Sequence, residues 1–174
     1  MERTEQIRLT FERNAKAMTL RPSAGRGTAI TRVKRREGLT CDVEDGNWRL
    51  IVDMSPKSAG DGRGPDPGVS GRTALGSCLA IAYTLWGAKL GFEFSRLEVE
   101  VQADYDSAAY HAVTEAPSGY RQVRYLVTVE SEAPESEVLK VLDAADAHSP
   151  YLDVFARPMD VRREVRIATR AVGQ

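Results

Sequence analysis

Cysteine and histidine are scarce in this chain, with two of each among 174 residues. Two thiols cannot staple a chain of this length. A disulfide scaffold is excluded, and free thiols fit a reducing cytoplasm. His111 and His148 each stand alone, with no helical His pair and no Cys–His cluster, so no zinc pattern exists. No metal or other cofactor is expected. Net charge is nearly absent too: 24 Lys and Arg balance 25 Asp and Glu, a formal −1 at pH 7. Global attraction to nucleic acid or to an anionic membrane is therefore not expected. Long apolar runs are missing. The richest, around Cys78, is bracketed by Arg72 and Lys89 and interrupted by Gly76, Ser77, Thr84 and Gly87. It is too short between charges to span a bilayer and reads as a buried helix. Residues 1–6 are charged and polar, without the apolar core of a signal peptide.

What remains is an ordinary globular composition, 42% hydrophobic and 28% charged. The length suits one domain with an added arm, here divided as residues 1–27 and 28–174. Ile7, Phe11, Ala15 and Met18 recur at helical spacing and draw a narrow apolar stripe on a charged helix over residues 4–18. A β-meander follows. Residues 28–36 are β-rich, Gly38 breaks them, and Leu39, Cys41 and Val43 alternate with polar neighbours. Asp45-Gly46 signals a hairpin into Trp48, Leu50 and Val52. This pattern predicts a sheet with one buried face, and places Cys41 in the core.

Residues 55–68 are crowded with glycine and proline and read as a flexible connector. Gly60, Gly62 and Gly64 do not make a phosphate loop, because no Gly-Lys-Ser/Thr follows and Pro65 displaces the third glycine of a dinucleotide fingerprint. The Cys78 helix is expected over residues 70–90, ending at Gly91. Leu97, Val99, Val101 and Ala103, then Val123, Tyr125, Val127 and Val129, alternate as strands around an irregular 105–119. Pro134 opens a helix with Val138, Val141, Leu142 and Ala145 on one face. Ser149 is placed to cap a short helical turn over 151–155, with Pro150 at its first position. A last strand is expected over 161–172; Glu98 and Glu100 could pair across strands with Arg166 and Arg170, but a solvated outer face is the favoured reading. The order is α+β, not repeating βαβ.

One site carries chemistry. A thiolate is a nucleophile, and its population depends on nearby positive charge, the helix dipole and desolvation. On residue type alone a buried helical cysteine packs as a small hydrophobe. Cys78 lies beyond the first turn of its helix, so the dipole helps little. Arg72 is six residues back, on another face. A cation would have to come from Lys57 or Arg63 in the preceding loop, or from the meander. Arg32, Lys34, Arg35 and Arg36 form the one basic cluster. Binding nucleic acid would need this patch to extend, with stacking aromatics nearby; only the cluster itself is visible, and nucleic acid is not expected as a partner.

The run Pro67 … Ala74-Leu75-Gly76-Ser77-Cys78-Leu79-Ala80, then Gly91-Phe92 and Leu97 to Val101, resembles the OsmC/Ohr family of osmotically inducible and organic hydroperoxide resistance proteins. Residues 144–155, with Ser149-Pro150-Tyr151-Leu152-Asp153-Val154, resemble its second motif. The likeness covers about residues 28–172 and leaves the first helix as an addition. It implies an OsmC-like α+β fold: antiparallel sheets around central helices, in an intertwined homodimer with the active site at the subunit interface. It further implies that Cys78 attacks a hydroperoxide and becomes a sulfenic acid. In the family a second cysteine, in a Cys-Pro motif, resolves that acid as a disulfide, and an arginine and a glutamate activate the thiolate. Here the resolving position is Ser149, and Gly68 and Val69 stand beside Pro67 where the family has acids. The resemblance thus implies a one-cysteine hydroperoxide reductase with Ser149, Lys57, Arg63 and Arg72 around its pocket. Its partners would be a second copy, a small hydroperoxide and an external reducing thiol. The alternative is a catalytically degenerate dimer that binds a small apolar or sulfur-containing ligand.

Overall fold

A computed structural model describes residues 2–168. Its organising element is helix α2, Pro67–Leu90. Asp66 caps it by accepting from the Val69 N–H at 2.8 Å, and Pro67 occupies its first turn. The helix therefore starts three residues before the expected position. Proline at a first helical position forfeits an N–H that has no partner there anyway. Gly91 ends the helix at φ +82°, a left-handed conformation that glycine adopts without a Cβ clash.

Leu75, Leu79 and Tyr83 recur every four residues along α2, and each is fully buried. Each leucine contributes about 1.5–3 kcal/mol by leaving water. They pack on a two-stranded antiparallel sheet, β4 (Arg96–Asp104) with β5 (Gln122–Glu130). Its inner face is the expected alternation, with Leu97, Val99, Val101, Val123, Tyr125 and Val127 against the helix. Gly76 lets the helix approach that sheet, since a Cβ there would meet Val101 at 3.2 Å. The connection between β4 and β5 holds a single short helix, α3 (Ser107–Tyr110). Helices α4 (Glu135–Asp146) and α5 (Pro150–Ala156) complete the layer, with Val141 and Ala145 fully buried.

Before α2 come helix α1 (Glu2–Leu20) and the meander β1 (Thr31–Arg35), β2 (Cys41–Asp45) and β3 (Trp48–Val52), antiparallel in that order. Phe11 of α1 meets Trp86 of α2 edge to face at 5.7 Å, and the Lys89 ammonium lies 3.9 Å from the Trp86 ring centre. The far half of α1, residues 12–20, is exposed.

Three expectations fail. The meander has the predicted apolar face, since Val33, Val43 and Leu50 pair across it and Cys41 pairs with Val52. Within one chain, however, little covers that face: Val33 is 62% and Leu50 58% exposed. Cys41 is accordingly half-buried rather than in the core. The last strand does not form over residues 161–168, because alternation alone supplies no partner edge, and residues 169–172 lie outside the described part. Among the described residues the cross-strand pairs to Arg166 do not form, and the outer face of β4 that carries Glu98 and Glu100 is solvated, as favoured. Glu98 pairs with Arg96 at 2.8 Å and Arg166 with its neighbour Glu164 at 3.5 Å, while Arg170 lies outside the described residues.

Nor is the glycine-rich segment a loose connector. It folds back on Asp53, which is 1% exposed. The Asp53 carboxylate accepts from the N–H groups of Met54, Asp61 and Arg63 and from the Thr40 hydroxyl, at 2.7–3.2 Å. Burial pushes this carboxyl up. The four donors, Arg63 and Met54 foremost, outweigh burial and hold it below the usual carboxylate range. Glycine is required where the loop touches β3, since a Cβ on Gly64 would sit 2.2 Å from the Ile51 carbonyl oxygen.

Two outcomes follow. Gly64→Ala is expected to cost about 1–3 kcal/mol, read by urea denaturation, because one backbone or the other must move. Asp53→Ala lowers the urea midpoint, and its deficit is pH-dependent. A carboxyl depressed in the folded state stabilises above its ordinary 3.8 and loses that contribution as pH falls through its folded value. The gap from wild type is thus full at neutral pH and closes in acid. A gap that widens in acid contradicts the assignment.

Candidate functional site

Cys78 lies about 60° round the helix axis from Leu75, on the flank of the buried stripe of α2, and is half-buried. Its polar neighbour is Ser149, whose hydroxyl oxygen is 3.7 Å from the sulfur. Ser149 is itself 4% exposed. It holds extended backbone geometry as the cap of α5, and its hydroxyl oxygen accepts from the Leu152 N–H at 3.3 Å. The short chain between α4 and α5 thus delivers one hydroxyl to one thiol. The amide fixes how that hydroxyl is used: one lone pair takes the Leu152 proton, and the hydroxyl's own proton can turn to the sulfur.

The three cations picked from sequence do not join this pair. Lys57 is exposed in the 3-10 turn Pro56–Ser58. Arg63 is exposed on the loop and pairs with Asp61 at 3.4 Å. Arg72 is half-buried on α2 and donates to the Tyr120 hydroxyl at 3.2 Å; that hydroxyl in turn donates to the Gly68 carbonyl at 3.1 Å. Among the described residues no guanidinium or ammonium contacts the Cys78 sulfur. Arg32, Lys34 and Arg36 line an open groove on one face of the meander, interleaved with Asp42 and Glu44. Arg36 donates to Asp42 at 2.6 Å.

Sequence reasoning passed over a half-buried carboxylate near the pair. Tyr83 of α2 and Tyr125 of β5 both donate to Asp146, at the end of α4, each at 2.7 Å. Burial first, and then the carboxylate, pushes Tyr125 up to about 12 and Tyr83 higher still, so both phenols stay protonated donors. A tyrosine in the middle of an apolar helix was the available signal, since a buried phenol needs an acceptor. Nearby, a cleft of about 490 Å³ opens between Tyr120, Leu75, Val123, Tyr125, Leu152 and Phe155. Its Tyr120 and Phe155 rings are stacked with centres 6.4 Å apart. Cys78 does not line it.

The sequence pattern of the OsmC-like protein family matches residues 60–164, a span that holds α2, both strands of the second sheet, the α4–α5 junction and therefore both Cys78 and Ser149. The chain belongs to the OsmC-like family. Solved structures agree on the fold. An OsmC-like protein from Mycoplasma pneumoniae superposes with a TM-score of 0.65 at 15% identity, covering 74% of this chain and 87% of that one. The organic hydroperoxide resistance protein OsmC of Legionella pneumophila gives 0.53 at 14% identity, over 75% and 90% of the two chains. The organic hydroperoxide resistance protein OhrB of Bacillus subtilis gives 0.50 at 16%, over 75% and 91%. At such identities the likeness is one of architecture. No curated protein matches the sequence. Among the described residues no OsmC-like helix here is long and apolar enough to cross a membrane.

Proposed function

We propose that this OsmC-like protein is a one-cysteine, thiol-dependent reductase of organic hydroperoxides, with Cys78 as nucleophile. The 3.7 Å contact between its sulfur and the capping hydroxyl of Ser149 carries the reading. The Ser149 hydroxyl, one lone pair engaged by the Leu152 amide, can turn its proton to the sulfur and hold it in place for attack. The thiolate attacks the outer peroxide oxygen. A sulfur–oxygen bond forms, the O–O bond breaks, and the alkoxide leaves and takes a proton to become an alcohol. Cys78 is oxidised to a sulfenic acid. Ser149 cannot form a disulfide, so a small external thiol attacks that sulfur, releases water and leaves a mixed disulfide. A second thiol then displaces Cys78 as a free thiol. A reducing cytoplasm supplies such thiols.

The site is incomplete in one protomer, because among the described residues no cation reaches the sulfur. A homodimer answers both this lack and the uncovered apolar face of the meander. A second copy packs its α2 region on Val33, Val43 and Leu50, and the interface brings a guanidinium to Cys78. The cleft beside Tyr120 and Phe155 supports a second reading, a degenerate dimer that holds a small apolar ligand without redox turnover.

With dithiothreitol as reductant and cumene hydroperoxide as substrate, wild type and Cys41→Ser are expected to turn over, and Cys78→Ser to lose all protein-dependent consumption. Turnover that survives Cys78→Ser removes Cys78 as the nucleophile, and a wild type that consumes no hydroperoxide leaves the ligand-binding reading in place. Val33→Glu combined with Leu50→Glu is expected to convert a dimer into a monomer in sedimentation and to stop turnover, since it puts carboxylates on the shared face. A monomeric wild type contradicts the interface.

A further inference from the structure

Cys78 and Ser149 belong to elements far apart in sequence, and most of what packs those elements together is apolar. Leu142 and Ala145 of α4 pack in one apolar cluster with Leu75 and Leu79 of α2. Apolar contact holds helices together without fixing their register, because it is non-directional. Something directional must hold a hydroxyl within 3.7 Å of a sulfur.

We propose that Asp146 is the positioning residue of the Cys78 site, locking the α4–α5 junction so that the Ser149 hydroxyl stays on the sulfur. The hydrogen bonds form a closed circuit. Tyr83 follows Cys78 by five residues on the same rigid helix and donates to one carboxylate oxygen of Asp146 at 2.7 Å. Tyr125, from the sheet, donates to the other at 2.7 Å. Asp146 is the last residue of α4, and its carbonyl accepts from the Ser149 N–H at 3.2 Å. Ser149 returns to Cys78 through its hydroxyl. Helices α2 and α4–α5 are thus joined at two points, and the first sets the second. Bonds to a carboxylate are stronger than neutral ones, and two donors from different elements fix both its position and its rotation. This inference rests on the proposed reactivity of Cys78 only in that the sulfur must be reactive for the positioning to matter.

The test is the alkylation rate of Cys78 by iodoacetamide at neutral pH, in the full chain carrying Cys41→Ser. Ser149→Ala is expected to slow alkylation about tenfold, the loss of one hydrogen bond to a charged sulfur. Asp146→Ala is expected to slow it by the same factor, and the double variant to be no slower than either single one. Asp146→Asn keeps an acceptor for one phenol and a donor for the other, and is expected to restore most of the rate. An unchanged or faster rate in Asp146→Ala, effects that multiply, or no rescue by asparagine overturns the proposal. Should Asp146→Ala fail to fold, Tyr125→Phe removes one donor alone and is expected to give a partial slowing; a wild-type rate there also overturns it. Because no hydroperoxide enters the assay, this pattern without peroxide turnover would retain Asp146 as the positioning residue and remove the reductase reading.

Discussion

The burial of one stripe of α2 is the constraint on which everything else depends. Leu75, Leu79 and Tyr83 are sealed between the two-stranded sheet and the α4–α5 pair. That stripe fixes the helix's rotation, and rotation decides what Cys78 meets. One position further into the stripe, the thiol would be enclosed by hydrocarbon and inert. One position further out, it would be ordinary surface. On the flank it meets a single hydroxyl, in a half-buried place where a hydrogen bond to sulfur keeps more of its strength than in water.

The cap of α5 does two things with one atom. A serine before Pro150 starts the helix by ordinary capping chemistry. The same oxygen lies against the sulfur. Where the wider family's resemblance implies a second thiol, this chain keeps the helix-starting function and gives up disulfide formation. An oxidised Cys78 would therefore depend on thiols from solution, which ties any turnover to a reducing surrounding.

Much of the architecture was legible in the sequence because it rests on local signals. Period-two alternation gave the inner faces of β4 and β5, Asp45-Gly46 the hairpin, Gly91 the end of α2, and Ser149-Pro150 the start of α5. What was not legible depends on contacts with no period. The fold-back of residues 54–65 onto Asp53 needs donors from three loop residues and Thr40, none of them marked by spacing. The Tyr83–Asp146–Tyr125 cluster joins three elements across more than sixty positions. The apolar alternation of the meander and of residues 161–168 was read as folded interior. It lies uncovered, since a pattern records that a face wants cover and not which chain provides it. At the candidate site the fold joins Cys78 and Ser149, both picked from the sequence, while of the cations chosen by nearness in sequence Arg63 and Arg72 have other partners and Lys57 is exposed.

The account stands on the Cys78 sulfur being the atom that a hydroperoxide oxidises. Peptide mapping by mass spectrometry, after one equivalent of cumene hydroperoxide and trapping with dimedone, asks this directly. The account predicts the sulfenic-acid adduct on the peptide carrying Cys78 and none on that carrying Cys41. An unmodified Cys78, or an adduct confined to Cys41, would contradict it.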